Sequence, residues 1–210
     1  NGNTIELLKK AGLQEEEFFL TISVEKIQLE ASTPKGIMRG IQTLRQLLPT
    51  TNGRIATKIP CLKIHDFPRF AWRGMLLDCC RHFMKKEFVM RYIDLLAYHK
   101  MNVLHWHLTE DQGWRIEIDK YPRLTEVGSF RTEKDGSKYG GFYTKEEIKE
   151  ILAYAKERHI TIVPEIEFPG HSAAAIASYP HLSCTGDSIK VGTEWGVYKD
   201  IYCAGNDTVF

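Results

Sequence analysis

No run of apolar residues in this 210-residue chain is long enough to span a bilayer, and no signal peptide stands at its start, so no membrane is expected as a partner. Charge of neither sign accumulates. Lys and Arg number 28 against 27 Asp and Glu, and there is no basic stripe, no aromatic–basic interleaving and no acidic tail, which argues against nucleic acid as a partner. The five cysteines (Cys61, Cys79, Cys80, Cys184, Cys203) lack metal-site spacing. Cys184 and Cys203 flank a Gly-rich loop and could bridge; Cys61 and the Cys79-Cys80 pair are expected to be buried thiols, and the odd count leaves the redox compartment open. A Gly-rich phosphate fingerprint is missing too, which counts against nucleotide binding. What is present suffices for a core, with 43% hydrophobic and 11% aromatic residues.

The chain is organised around Met101–Arg115, MNVLHWHLTEDQGWR. Its period-two alternation reads as a strand. His105 and His107 then share one face, with Leu104, Trp106 and Leu108 on the other. Two imidazoles inside a buried strand, with Glu110 and Asp111 at its C-terminal tip, are costly to bury unless paired. Parity puts Trp106 in the core; Trp114 is either core or a stacking surface for a sugar ring.

Before that stretch, Thr4–Ala11 reads as a short helical piece, followed by alternation at Leu20, Ile22 and Val24 and again at Ile27, Leu29 and Ala31. Thr33-Pro34 opens a helix whose stripe is Ile37, Ile41, Leu44 and Leu48, up to Pro49. Asn52-Gly53 marks a turn, and Ile59–Ile64 a further strand. From Pro68 the rhythm becomes strand–helix alternation. Trp72–Cys80 is a strand, Lys86–His99 a helix and Met101–Thr109 the central strand. A loop with Gly136, Gly140 and Gly141 leads to a capping box at Thr144 and Glu147. That helix is expected to bury Ile148, Ile151, Leu152 and Ala155, and Ile160–Ile166 is a third strand. Such alternation means βαβ units and a parallel sheet. Polar residues cluster just past each strand: Arg81, then Glu110 and Asp111, then Glu167 and His171. That is where a (β/α) barrel or a doubly wound sheet carries its active face. A full barrel takes about 250 residues, so three units, with Asn206–Phe210 reading as a helix cap and one turn, predict a piece of a longer protein.

Each candidate has two readings. Arg81 is a clamp on ligand oxygens or a salt bridge to Asp78. Glu110, Asp111 and His171 suggest acid–base work or binding of sugar hydroxyls, against a helix-start histidine bonded to backbone. Glu165 and Glu167 belong to the site or pair structurally within the sheet. Two function classes are open to these residues. One is a metal-dependent hydrolase of the amidohydrolase type with His105, His107 and His171 as zinc ligands, although there the histidine pair belongs on the first barrel strand and here it sits on the second. The other is a non-catalytic carbohydrate-binding fragment.

Five segments occur in one order at compatible spacing: Gly36–Pro49 (GIMRGIQTLRQLLP), Arg73–Phe83 (RGMLLDCCRHF), Met101–Arg115, Gly141–Glu147 (GFYTKEE) and Val163–Ser172 (VPEIEFPGHS). Together they resemble the family-20 glycoside hydrolases, the β-N-acetylhexosaminidases. The resemblance implies an α/β architecture, with a small α/β domain over residues 1–66, joined part-way through, and the first three strand–helix units of a (β/α)₈ TIM barrel over 67–210. It implies hydrolysis of terminal β-linked GlcNAc or GalNAc with retention, in which the substrate's own acetamido oxygen attacks the anomeric carbon. Arg81 would bind ring hydroxyls of the terminal sugar. Glu110, Asp111 and His171 would form a supporting network behind the catalytic acid. Many relatives carry two aspartates where Glu110-Asp111 stands, and commonly an aspartate in place of Glu167, so these positions depart from the pattern. The resemblance places the catalytic Asp-Glu pair directly after a Gly-Gly on the fourth strand, and no Gly-Gly-Asp-Glu occurs in residues 1–210, so this chain alone is expected to be inactive. The resemblance implies no cofactor and no metal, a glycan or chitooligosaccharide as substrate, and a secreted, periplasmic or lysosome-like location.

Overall fold

The computed structural model describes residues 4–48, 50–51, 54–55 and 58–209. Its first part is a four-stranded sheet in the order β1-β3-β2-β6, formed by Thr4–Lys9 (β1), Phe18–Ile22 (β2), Lys26–Ala31 (β3) and Leu62–Asp66 (β6). A two-residue hairpin, Thr50–Thr51 (β4) with Arg54–Ile55 (β5), precedes β6. The turn expected at Asn52-Gly53 lies outside the described residues, as does Pro49. Thr4–Ala11 is not helical. Glu, Leu and Lys favour a helix locally, but pairing with β3 along its whole length draws the segment into a parallel strand, and tertiary contacts override propensity. Val24 belongs to the exposed turn between β2 and β3 rather than to either strand.

Helix α1, Pro34–Leu47, starts where proline follows a cap: the Thr33 hydroxyl accepts the Gly36 N–H at 3.1 Å. Its Ile37, Ile41 and Leu44 pack on Phe18, Leu20 and Leu29. A Cβ at Gly40 would stand 2.2 Å from a Leu29 methyl, so glycine sets how closely the helix meets the sheet. Besides Gly36 and Gly40, the buried positions of α1 are polar, Arg39, Gln42 and Thr43, because that face is turned to the rest of the chain. There buried Glu16 takes hydrogen bonds from Arg39 Nε at 2.6 Å and Arg73 Nη2 at 2.5 Å, tying the first sheet to the start of the second.

That second sheet is parallel, with Gly74–Asp78 (β7) and Thr161–Glu165 (β13) on either side of Val103–His107 (β8). Helices Lys86–Tyr98 (α2) and Lys145–Glu157 (α4) are the crossovers, and Ala173–Ser178 (α5) follows β13. Leu104, Trp106 and Leu108 face α2 and α4 and share a core with Val89, Ile93, Leu96, Ile151 and Ala155. Parity therefore turns His105 and His107 to the opposite face, as the alternation requires. The capping box forms with both of its bonds, Glu147 N–H to Thr144 Oγ1 at 3.2 Å and Thr144 N–H to Glu147 at 3.1 Å. Leu152, expected on the buried face, is exposed, because α4 offers a narrower stripe than the periodicity suggests.

Between β8 and α4 the chain is more structured than a loop. Thr109–Glu110 (β9) pairs with Gly113–Trp114 (β10), then comes a single turn of helix at Arg123–Glu126 (α3), and Phe130–Thr132 (β11) pairs with Lys138–Gly140 (β12). Fully buried Arg115 organises this region. Its guanidinium donates to the carbonyls of Cys79, Cys80, Gln112, Ser129 and Gly141 at 2.5–3.4 Å. Gly140 has φ +150°, and a Cβ there would reach 2.0 Å from the Ser129 carbonyl, so the hairpin closes only with glycine. Trp114 is core: it is buried against Leu124, Ala174 and Ala175, and its indole N–H donates to the Ile116 carbonyl at 2.7 Å. Cys184 and Cys203 form a disulfide, Cys79 and Cys80 are buried thiols, and Cys61 is exposed because it precedes β6 at the sheet's rim.

Candidate active site

Register assembles the site. Asp78 and Glu165 are both paired with His107, so the last residues of β7, β8 and β13 stand in one row. Just beyond that row lie Arg81, Glu110, Asp111, Glu167 and His171. His107 is buried among four carboxylates, with its ring nitrogens 3.6–3.9 Å from Asp78, Glu110, Glu165 and Glu167, and it bonds to the Thr109 carbonyl at 2.9 Å.

Arg81 forms the salt bridge to Asp78 and a second one to Glu110. Nη1 donates to Asp78 at 2.7 Å, and Nη2 donates to Glu110 at 2.7 Å. Glu110, 2% exposed, is the joint of the cluster. One of its oxygens takes Arg81, and the other meets His171 Nδ1 at 2.7 Å and accepts the Asp111 N–H at 2.9 Å. Asp111 is equally buried. Its Oδ1 accepts the Ala173 N–H at 3.0 Å and its Oδ2 is 3.5 Å from His171 Nδ1. Both members of the acidic pair thus reach the histidine, and only Glu110 also reaches Arg81. Glu167 is anchored through its own N–H, donated to the Thr109 hydroxyl at 2.8 Å. Glu165 pairs with His105 at 2.6 Å.

The electrostatics divide these groups. Burial raises the Asp78 carboxyl, but the Arg81 side chain and the N–H groups of Arg81 and Cys80 outweigh it and hold Asp78 below its ordinary value. Burial pushes Asp111 up and Glu110 adds to it, more than the Ala173 N–H and His171 offset. Burial and then Glu165 push Glu167 up. His171 is raised: burial opposes its charge, but Glu110 and Asp111 outweigh burial. Asp111, Glu167 and His171 are thus all shifted upward within one cluster, and strongly perturbed groups gathered at strand tips are what acid–base sites display. Glu110 and Asp111 are buried, whereas Arg81 and His171, which they hold, are partly exposed. Glu110 and Asp111 share His171 Nδ1, which leaves Nε2 as the nitrogen available to a further group.

Among the described residues, two sets of possible metal ligands converge, His107–Glu110–Glu167 and Glu110–Asp111–His171. Neither contains His105 and neither joins His107 to His171. The triad His105, His107 and His171 needed by a zinc hydrolase is therefore not brought together, because His105 is turned to Glu165. Two contributors escaped the sequence reading. Arg115 closes the central motif and so stood in plain view, but apart from Gln112 its carbonyl partners come from other segments. Trp195 lies with its ring centroid 5.1 Å from Arg81 Cζ, and nothing local marks it.

The family model described as "Glycosyl hydrolase family 20, catalytic domain" matches residues 70–210, and "Glycosyl hydrolase family 20, domain 2" matches residues 1–67. A beta-hexosaminidase of Porphyromonas gingivalis is 48% identical over 203 residues, covering 94% of this chain and 26% of that protein. An N,N'-diacetylchitobiase of Vibrio harveyi is 36% identical over 190 residues, 81% of this chain and 20% of that protein. The structure of Streptomyces plicatus N-acetyl-beta-hexosaminidase in complex with Thio-NAglucal is similar with a TM-score of 0.89 and 41% identity, over 98% of this chain and 42% of that one. The chain spans less than half the length of each.

Proposed function

Because the chain belongs to glycosyl hydrolase family 20, we propose that it is part of a glycoside hydrolase that removes terminal β-linked N-acetylhexosamine with retention, by substrate-assisted catalysis. The observation that carries this reading is the buried Glu110 bridging Arg81 to His171 across two strand tips. Arg81 and Asp78 present a rigid donor–acceptor edge suited to sugar hydroxyls. His171, its Nδ1 held between Glu110 and Asp111, offers Nε2 to a carboxylic acid that protonates the leaving oxygen. In that reaction the acetamido oxygen bonds to the anomeric carbon as the glycosidic bond breaks. Water then opens the resulting ring and restores the starting configuration.

Residues 1–66 act here as the small domain and 67–210 as the first units of the catalytic barrel. The parallel sheet ends in β7 and β13, and the exposed Met75, Leu76 and Ile166 at those margins fit the packing of further barrel strands. A glycan or chitooligosaccharide substrate is supported by the chitobiase relative, and an exported location by the Cys184–Cys203 disulfide. Residues 1–210 contain no Gly-Gly-Asp-Glu. General acid catalysis contributes about 10²–10⁴-fold, so this chain alone binds sugar weakly and does not turn it over.

The test compares residues 1–210 with the longer protein obtained by reading on past Phe210, using a nitrophenyl β-GlcNAc. The longer protein should release product with retention and the shorter chain none. A longer protein inert on every β-N-acetylhexosaminide would overturn the reading. Turnover by the short chain, free of host enzyme, would move the acid to Glu110, Asp111 or Glu167.

A further inference from the structure

Arg73 precedes β7 and Asp78 ends it, so the cluster around Arg73 lies at the other end of the parallel sheet from the candidate active site. There one carboxylate, Glu16, serves two guanidiniums, taking Arg39 Nε at 2.6 Å and Arg73 Nη2 at 2.5 Å. The remaining donors of Arg73 go to the carbonyls of Phe70, Ala71 and Lys100, and Arg39 Nη2 goes to the His159 carbonyl at 3.4 Å. Carbonyls satisfy N–H groups but bring no negative charge. Arg39 is 2% exposed, yet its Nη1 has no hydrogen-bond partner among the described residues. A buried donor left unpaired is costly, and an arginine cannot shed its proton to escape that cost.

A cavity of about 160 Å³ lies against these groups, walled in part by Glu16, Phe18, Arg39, Asp66, Arg73 and Lys100. Lys100 is balanced by Asp66 at 2.7 Å, so Arg39 and Arg73 are left with Glu16 alone and one positive charge stands in excess. Lys35, 3.5 Å from Glu16, has its own partner in Glu15 at 3.2 Å, and that pair brings no further negative charge. At about 30 Å³ for each water, the space takes a few waters or one ion with part of its shell. It falls below the roughly 300–1,000 Å³ of sites for organic ligands. Water alone would accept from Arg39 Nη1 but leave the charge in place. We propose that this cavity binds a small monovalent inorganic anion of the halide class, held by Arg39 Nη1 and the surplus charge of the two arginines. Arg39 belongs to α1 and Arg73 leads into β7, so the anion joins the first sheet's layer to the second sheet. It binds only where the two are docked, and so stabilises that arrangement by mass action. The site stands apart from the glycosidase reading.

The experiment uses the longer protein in sodium gluconate, whose anion is too large for the cavity, and replaces gluconate by chloride or bromide at constant ionic strength. The unfolding equilibrium constant should fall along a saturable curve, by about tenfold at roughly ten times the half-saturating halide concentration. Crystals grown in bromide should show its anomalous signal within hydrogen-bonding reach of Arg39 Nη1. Lys100→Met, which removes a partly exposed cation from the wall, should raise the half-saturating concentration several-fold, and Arg39→Gln should abolish the response. Should Arg39→Gln fail to fold, the bromide signal and Lys100→Met decide. An ordered water in the cavity with no bromide signal would overturn the site. A response that never saturates, or that is the same in Lys100→Met, would reduce it to an adventitious ion only and overturn it equally.

Discussion

Replacing Glu110 by Gln tests the joint of the cluster with almost no change of shape. The carboxylate serves Arg81 Nη2, His171 Nδ1 and the Asp111 N–H, and an amide presents one oxygen and one NH₂. Whichever way it turns, a donor now faces a donor. Breaking a fully buried ion pair costs about 3–5 kcal/mol. Arg81 keeps Asp78 at 2.7 Å and is partly exposed, so the loss should be nearer the value of one charge-assisted hydrogen bond, about 1.5–3 kcal/mol. The pH dependence has a definite sign. His171 is raised above its ordinary 6.5, so its pairing stabilises the fold in full below that value and fades as pH rises through the elevated one. Glu110→Gln removes the largest favourable cause of that elevation. The variant's deficit should therefore be greatest below about pH 6.5 and shrink toward alkaline pH, while the His171 titration moves down. Urea unfolding of the longer protein at acid and alkaline pH, with NMR titration of the His171 ring protons, reads both effects. An unshifted His171 titration together with stability within about 0.5 kcal/mol of the parent, the range of ordinary surface substitutions, would refute the bridge.

Arg81→Ala in the longer protein should lower kcat/KM on the nitrophenyl β-GlcNAc at least tenfold, since charge-assisted hydrogen bonds are worth about 1.5–3 kcal/mol each; unchanged kinetics would make the arginine purely structural. Chelator should leave activity intact, because Glu110, shared by both candidate ligand sets, is already neutralised by Arg81; about one zinc per purified chain, with activity lost on its removal, would reverse that. Arg115→Met removes a donor from five carbonyls, of which Ser129 keeps the Gly141 N–H and Gln112 keeps Arg131. At about 1–3 kcal/mol for each buried group left unsatisfied, it should abolish soluble expression or lower the thermal midpoint sharply, and a midpoint unchanged by melting would show water replacing the guanidinium.

Part of the site was legible because it lies on one local pattern. Alternation through Leu104, Trp106 and Leu108 set the buried face of β8 and hence the opposite face for His105 and His107. The Thr144–Glu147 capping box and the Thr33-Pro34 start were equally local and formed as read. Where the signal was weak, burial and pairing decided. Thr4–Lys9 took a strand because β3 offered backbone partners along its length, and Phe130–Gly140 closed into a hairpin rather than a loop.

The amino-acid sequence by itself determined the strand–helix alternation of the parallel sheet, the residues at each of its strand tips and the family they belong to, because period, caps and motif spacing act over a few neighbouring residues. Only the tertiary structure decided who bonds to whom. Glu110 rather than Asp111 reaches Arg81, although both reach His171. Arg115 binds carbonyls from segments on either side of α2, and Trp195 comes to rest against Arg81 through a disulfide-closed loop. Such contacts depend on parallel register and loop docking between parts of the chain far apart in sequence, and no local preference encodes their distance or direction.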